Sequence, residues 1–122
     1  MSAAAFLLVC LGGAVGAAGR FVTDQSIRAR WPTVLPVGTI AVNVVGSFVI
    51  GLAVTGLEGD AYRVVAIGFC GGFTTFSTAT TETVRLVQAG DVRRALVNAF
   101  GTLLLAIAAA AAGLALGDAV FG

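Results

Sequence analysis

Histidine is absent from this chain, and charge of either sign is scarce: Asp, Glu, Lys and Arg together make up 11% of its 122 residues. Without histidine there is no imidazole chemistry, and a net charge of +1 gives no basic surface for a nucleic-acid partner. Enzymatic activity has no support either. No paired carboxylates stand at catalytic spacing, and a hydroxyl without a neighbouring base is not a nucleophile. Only two cysteines occur, Cys10 and Cys70, both in apolar stretches, where they read as small buried hydrophobes before they read as a disulfide or a metal site. No Lys or Arg precedes Arg20, so the first apolar stretch lacks the basic head of a cleavable signal.

What is present is apolar. Hydrophobic residues make up 58% of the chain and mean hydropathy is +1.02, whereas soluble domains average about 45–50% apolar and ~25% charged residues. The charges fall at Arg20–Arg30, Glu58–Arg63, Glu82–Arg94 and Asp118, leaving uncharged windows at 1–19, 31–57, 64–81 and 95–117. A helix needs ~20 residues to cross ~30 Å of hydrocarbon, and each window is about that long. The reading is an all-α membrane protein, one unit over 1–122, with spans near 3–23, 36–57, 63–88 and 95–117 and no soluble domain left over. Arg28, Arg30, Arg85, Arg93 and Arg94 lie on one side of such a bundle and only Arg63 on the other. The positive-inside bias then puts both termini outside the cell membrane.

Polar groups at membrane depth need a partner or a wet cavity. In span two, Thr39, Asn43 and Ser47 recur every four residues and share a face with Gly46 beside them. Span four carries a shorter stripe, Asn98 and Thr102, continuing over Ala106 and Ala110. Span one places Gly12 and Gly16 in small-xxx-small spacing, a packing face. Span three differs from all of these. Gly68 to Arg85 reads GFCGGFTTFSTATTETVR, with seven hydroxyl side chains between Thr74 and Thr83. Gly71-Gly72 near its middle predicts a helix interrupted near 71–75, leaving backbone groups without intrahelical partners. Free carbonyls suit a hard cation, and free N–H groups with threonine hydroxyls suit an anion.

In GGAVGAAGRF (Gly12–Phe21), GTIAVNVVGSFVIG (Gly38–Gly51), GFCGGFTTFST (Gly68–Thr78) and the closing small-residue span, the chain resembles the CrcB/Fluc fluoride channels over nearly its whole length. The resemblance implies antiparallel (dual-topology) dimers of four-helix subunits with two fluoride pores at the interface. It also implies a structural Na+ held by backbone carbonyls where the broken third helices cross. By position, Gly71 and Thr74 would give those carbonyls. Phe76 matches the first phenylalanine of the aromatic box, Asn43 the pore asparagine, and Arg20 the first-span arginine near the aqueous vestibule. Ser77, Thr78 and Thr102 match hydroxyls along the fluoride path. Asn98 stands where many members carry tyrosine, and Ala79 where they often carry a second phenylalanine.

The chemistry agrees with that implication. A dry pore must replace fluoride's water with hydrogen-bond donors and the positive rim of an aromatic ring, without a full charge that holds the ion too tightly. Two other readings compete. A small multidrug-resistance-like exporter needs a membrane carboxylate in span one, and none precedes Asp24; Glu82, at the end of span three, reads as a capping or surface group. A non-conducting scaffold gives no reason for the hydroxylated break. The expected partners are fluoride, membrane lipid, and either an identical chain or an inverted paralogue. The five-to-one arginine count favours the paralogue, because a chain locked in one orientation cannot meet an inverted copy of itself.

Overall fold

A computed structural model describes residues 1–31 and 36–122; positions 32–35, in the uncharged window 31–57, lie outside the described residues. Helix α1 (Ala3–Arg30) starts at Ser2, whose Oγ accepts the Ala5 N–H at 3.1 Å. It continues well past residue 23, and Arg28 and Arg30 occupy its last turn instead of a loop. The reason is local. Asp24 and Arg28 pair at 2.9 Å one turn apart, acid before base as a helix favours, and cations suit the C-terminal carbonyls.

Helix α2 (Val37–Gly56) is the second span. The third, Gly59–Gln88, is assembled from pieces: α3 (Gly59–Tyr62), a π-helical stretch (Arg63–Phe69), α4 (Cys70–Phe73) and α5 (Phe76–Gln88). In the π stretch hydrogen bonds reach five residues back, as from Cys70 N to Val65 O. A turn with Gly90 at φ +82° leads to Asp91, whose carboxylate accepts the Arg94 N–H at 3.1 Å and opens α6 (Val92–Phe121). All four spans are long and apolar enough to cross a membrane, and every regular element among the described residues is helical. This is an all-α, multi-pass membrane protein.

Small residues set the packing. Helices α2 and α6 meet where Gly51 faces the Ala110 carbonyl and Gly113 the Phe48 carbonyl, approaches that leave no room for a Cβ. Helix α1 crosses span three in the same way: a Cβ on Gly16 would strike Phe69 O, and one on Gly72 would strike Gly13 O. Gly12 and Gly16 are therefore a packing face, and backbones in this contact replace side-chain bulk. Leu104 and Ile107 of α6 are exposed, as lipid-facing residues are. Cys70 is fully buried, but Cys10 is exposed on α1, so only one cysteine belongs to the core. Arg28 of α1 reaches Glu82 of α5 at 3.1 Å, which ties the last turn of α1 to the middle of α5, while Arg63 pairs with Asp60 in the first turns of span three.

Candidate functional site

The third span breaks at Thr74 and Thr75, whose backbones are extended (φ −83°, ψ 160° and φ −148°, ψ 115°). The glycine pair is not the break. Gly71 and Gly72 are helical members of α4, and Gly72 is needed for its approach to α1 instead. What creates the interruption comes from other helices. Asn43 of α2 presents its amide to Thr75 as a strand would: Oδ1 accepts the Thr75 N–H at 2.7 Å and Nδ2 donates to Thr75 O at 3.0 Å. Arg20 of α1 donates through Nε to Gly72 O at 3.3 Å. Thr74 turns its hydroxyl back to Cys70 O at 2.8 Å and seats its methyl against Gly46, where a Cβ would collide with it. Thr75 Oγ1 then accepts the Thr78 N–H and caps α5.

This arrangement diverts two carbonyls from helical bonding. In a continuous helix Gly71 O would take the Thr75 N–H, which goes to Asn43. Likewise Thr74 O would take the Thr78 N–H, which goes to Thr75 Oγ1. Gly71 is exposed, and a Cβ there would meet nothing within 4 Å. Gly71 O, at an open side of the break, and Thr74 O are uncharged oxygens, the donor type a hard monovalent cation accepts.

On another side of the break a groove of about 470 Å³ runs between α2, α5 and α6. Asn43, Ser47 and Ile50 line it from α2, Phe76, Ala79, Thr80 and Thr83 from α5, and Asn98, Thr102 and Ala106 from α6. No charged side chain is among its lining residues. Phe76 is 85% exposed, its ring rim free for a ligand. The hydroxyls differ in what they offer. Thr80 and Thr83 donate to the carbonyls of Phe76 and Ala79 and so turn lone pairs outward. Thr102 Oγ1 is buried without a partner, so its proton is free. Asn98, only 2% exposed, donates to Thr83 Oγ1 at 2.8 Å and stitches α6 to α5.

Asn43, Phe76 and Thr102 thus meet on one groove, with Thr74 at its edge. Ser77 and Thr78 are not among its lining residues: Ser77 is exposed elsewhere on α5 and Thr78 lies at the cap. Arg20 and Gly71 lie away from the groove as well, Arg20 on the α1 side of the break. Glu82 is neither a cap nor a surface group. Its carboxylate, 14% exposed, accepts from Thr39 Oγ1 at 2.6 Å and from Arg28 at 3.1 Å. Thr39 precedes Asn43 by one turn and Glu82 follows Thr75 by two, so both pairs share the α2–α5 seam.

A family model described as "CrcB-like protein, Camphor Resistance (CrcB)" matches residues 7–114. A protein of Leifsonia xyli named "Fluoride-specific ion channel FluC 1" is 45% identical, the match covering 91% of this chain and 85% of that one. "Fluoride-specific ion channel FluC 2" of Cutibacterium acnes is 39% identical over 93% of this chain and 98% of its own length. The Thermus thermophilus protein "Fluoride-specific ion channel FluC" is 41% identical over 96% and 98%. With the family matched over most of its length and with relatives this similar end to end, the chain belongs to the CrcB family.

Proposed function

We propose that the chain is a subunit of a fluoride channel that lowers cytoplasmic fluoride by passive export. The observation that carries this reading is the uncharged groove beside a broken span, where Asn43, Phe76 and Thr102 converge. Asn43 spends one amide hydrogen on Thr75 and keeps the second, Thr102 has a free hydroxyl, and the Phe76 rim is electropositive. Together they replace part of the ion's water, and the absence of a full positive charge lets it leave. Ser77 and Thr78 in the first turn of α5, and Arg20 on the α1 side of the break, extend the path in this reading. Asp24, the first carboxylate in the chain, is paired with Arg28 in the last two turns of α1, away from the middle of the span where a drug exporter's carboxylate must stand.

The remaining assignments rest on the same reading. Gly71 O and Thr74 O would hold a structural Na+, which supplies positive charge that ties the break in place. The assembly is an antiparallel dimer, and the arginine bias favours an inverted relative over a second copy. The test uses the protein pulled through a tag on this chain from its native membrane, with whatever partner travels with it. Reconstituted in liposomes, it should release fluoride to an electrode well above protein-free vesicles and leave chloride inside. Vesicles that release neither ion, or both alike, refute the reading.

A further inference from the structure

A cluster at one end of the groove has no role in the path described so far. Arg28 bridges two carboxylates: its Nε donates to Asp24 Oδ2 at 2.9 Å and its other nitrogen to Glu82 Oε2 at 3.1 Å. Thr39 donates to the remaining Glu82 oxygen at 2.6 Å, so both Glu82 oxygens have donors. Glu82 sits between Ala79 and Thr83, which line the groove, and Thr39 is one turn from Asn43, which does too. A bare carboxylate at this place would repel an anion over a distance where little water screens it. Resting on the fluoride reading above, we propose that Arg28 is a positioning residue for the path: it pins Glu82 to the helix seam and cancels its charge beside the groove.

The other charged groups near Glu82 leave the task to Arg28. On its own helix Arg85 lines a small pocket with Glu82 but is in no ion pair with it among the described residues, and α2 brings Thr39, which does not titrate. On α6, Arg94 is held by Asp91 at 2.6 Å, and no ion pair joins α6 to Glu82 among the described residues. Asp24 faces the same guanidinium, with its Oδ1 buried and unpartnered. Removing Arg28 therefore leaves two acids together with no shared cation, a pairing that favours protonation of one of them. Arg28→Gln should conduct fluoride roughly tenfold more slowly than wild type at pH 8, as expected for one uncancelled charge beside an anion path. Its flux should recover as pH falls to 6 and the acid neutralises.

The experiment measures fluoride efflux between pH 6 and 8 from the tag-purified assembly, with protein-free vesicles subtracted for leakage of the protonated acid. Wild type should be flat across that range. Arg28→Gln should slope as described, and Arg28→Gln with Glu82→Gln should be flat and faster at pH 8 than the single variant. A single variant as fast as wild type, a loss that does not vary with pH, or a double variant no faster at pH 8 overturns the proposal. If Arg28→Gln does not assemble, Arg28→Lys, which keeps the charge, replaces it: a flat profile supports the proposal and a sloping one overturns it. A wild type that carries no fluoride at any pH refutes the function itself, and this inference with it.

Discussion

Exchanging Asn43 for aspartate changes one atom in the clamp that holds the break open. The Oδ1 side still accepts the Thr75 N–H, as it does at 2.7 Å in the native clamp. On the other side, where Nδ2 donates to Thr75 O at 3.0 Å, an ionised carboxylate brings two oxygens face to face. Losing one such bond costs about 0.5–1.5 kcal/mol, and stranding its partly buried carbonyl adds up to ~1–3 kcal/mol. The group is only partly buried, so roughly 1–3 kcal/mol is a fair total. Protonation returns the donor, so that cost favours the neutral form of the new carboxyl. On the proposed path, the ionised form would also put a negative charge against the anion. Asn43→Asp should thus be assembled but nearly silent at pH 8, and should regain part of its flux toward pH 6 as the acid becomes neutral. The assay is liposome efflux read by a fluoride electrode, with assembly checked by gel filtration. Wild-type flux at pH 8 would take Asn43 out of the path; an assembled variant equally silent at pH 6 would refute the clamp argument.

The two glycines of α4 should separate cleanly. Gly72→Ala drives a Cβ into Gly13 O and should destabilise by about 1–3 kcal/mol, as overpacking does, whereas Gly71→Ala meets nothing and should shift thermal unfolding little; equal losses would mean that another chain covers the open side. If Gly71 O and Thr74 O hold Na+, replacing sodium with a bulky organic cation should lower the unfolding temperature, and indifference to the exchange removes the site. Tag-protection mapping in native membranes should find the termini on one face only, as the arginine bias requires; termini on both faces would restore a homodimer of opposed copies.

The four spans are legible in the sequence because lipid permits no charge in their middles, so the gaps between charged residues mark them directly. The end of α1 is not, since the Asp24–Arg28 pair extends a helix by local electrostatics after hydropathy has run out. The glycine pair lies two or three residues ahead of the true break because glycine serves two purposes in a membrane helix. At Gly72 it permits close packing, and the chain leaves the helix only at Thr74, where Asn43, 32 residues from Thr75 in sequence, offers the backbone a better partner. That Asn43, Phe76 and Thr102 converge on one groove follows from polar residues at membrane depth and from the family resemblance. Glu82 is misjudged from sequence because its partners Arg28 and Thr39 lie on two other helices, and no spacing within α5 reveals them. The π stretch Arg63–Phe69 leaves no mark on the apolar pattern at all.

The Asn43 amide stands in for a missing peptide unit, and this decides what kind of joint the third span contains. A helix interrupted by glycines alone would flex, since nothing outside it would resist bending. Here α4 is anchored to α1 by Arg20 at Gly72 and the start of α5 to α2 by Asn43 at Thr75, so a bend at Thr74–Thr75 must break one anchor or the other, at about 0.5–1.5 kcal/mol for each neutral bond and more for the arginine's. The joint is a mortise, not a hinge. If the proposed fluoride path runs against it, that path should keep a fixed bore, with passage governed by how readily the ion sheds its water and not by a door at this point.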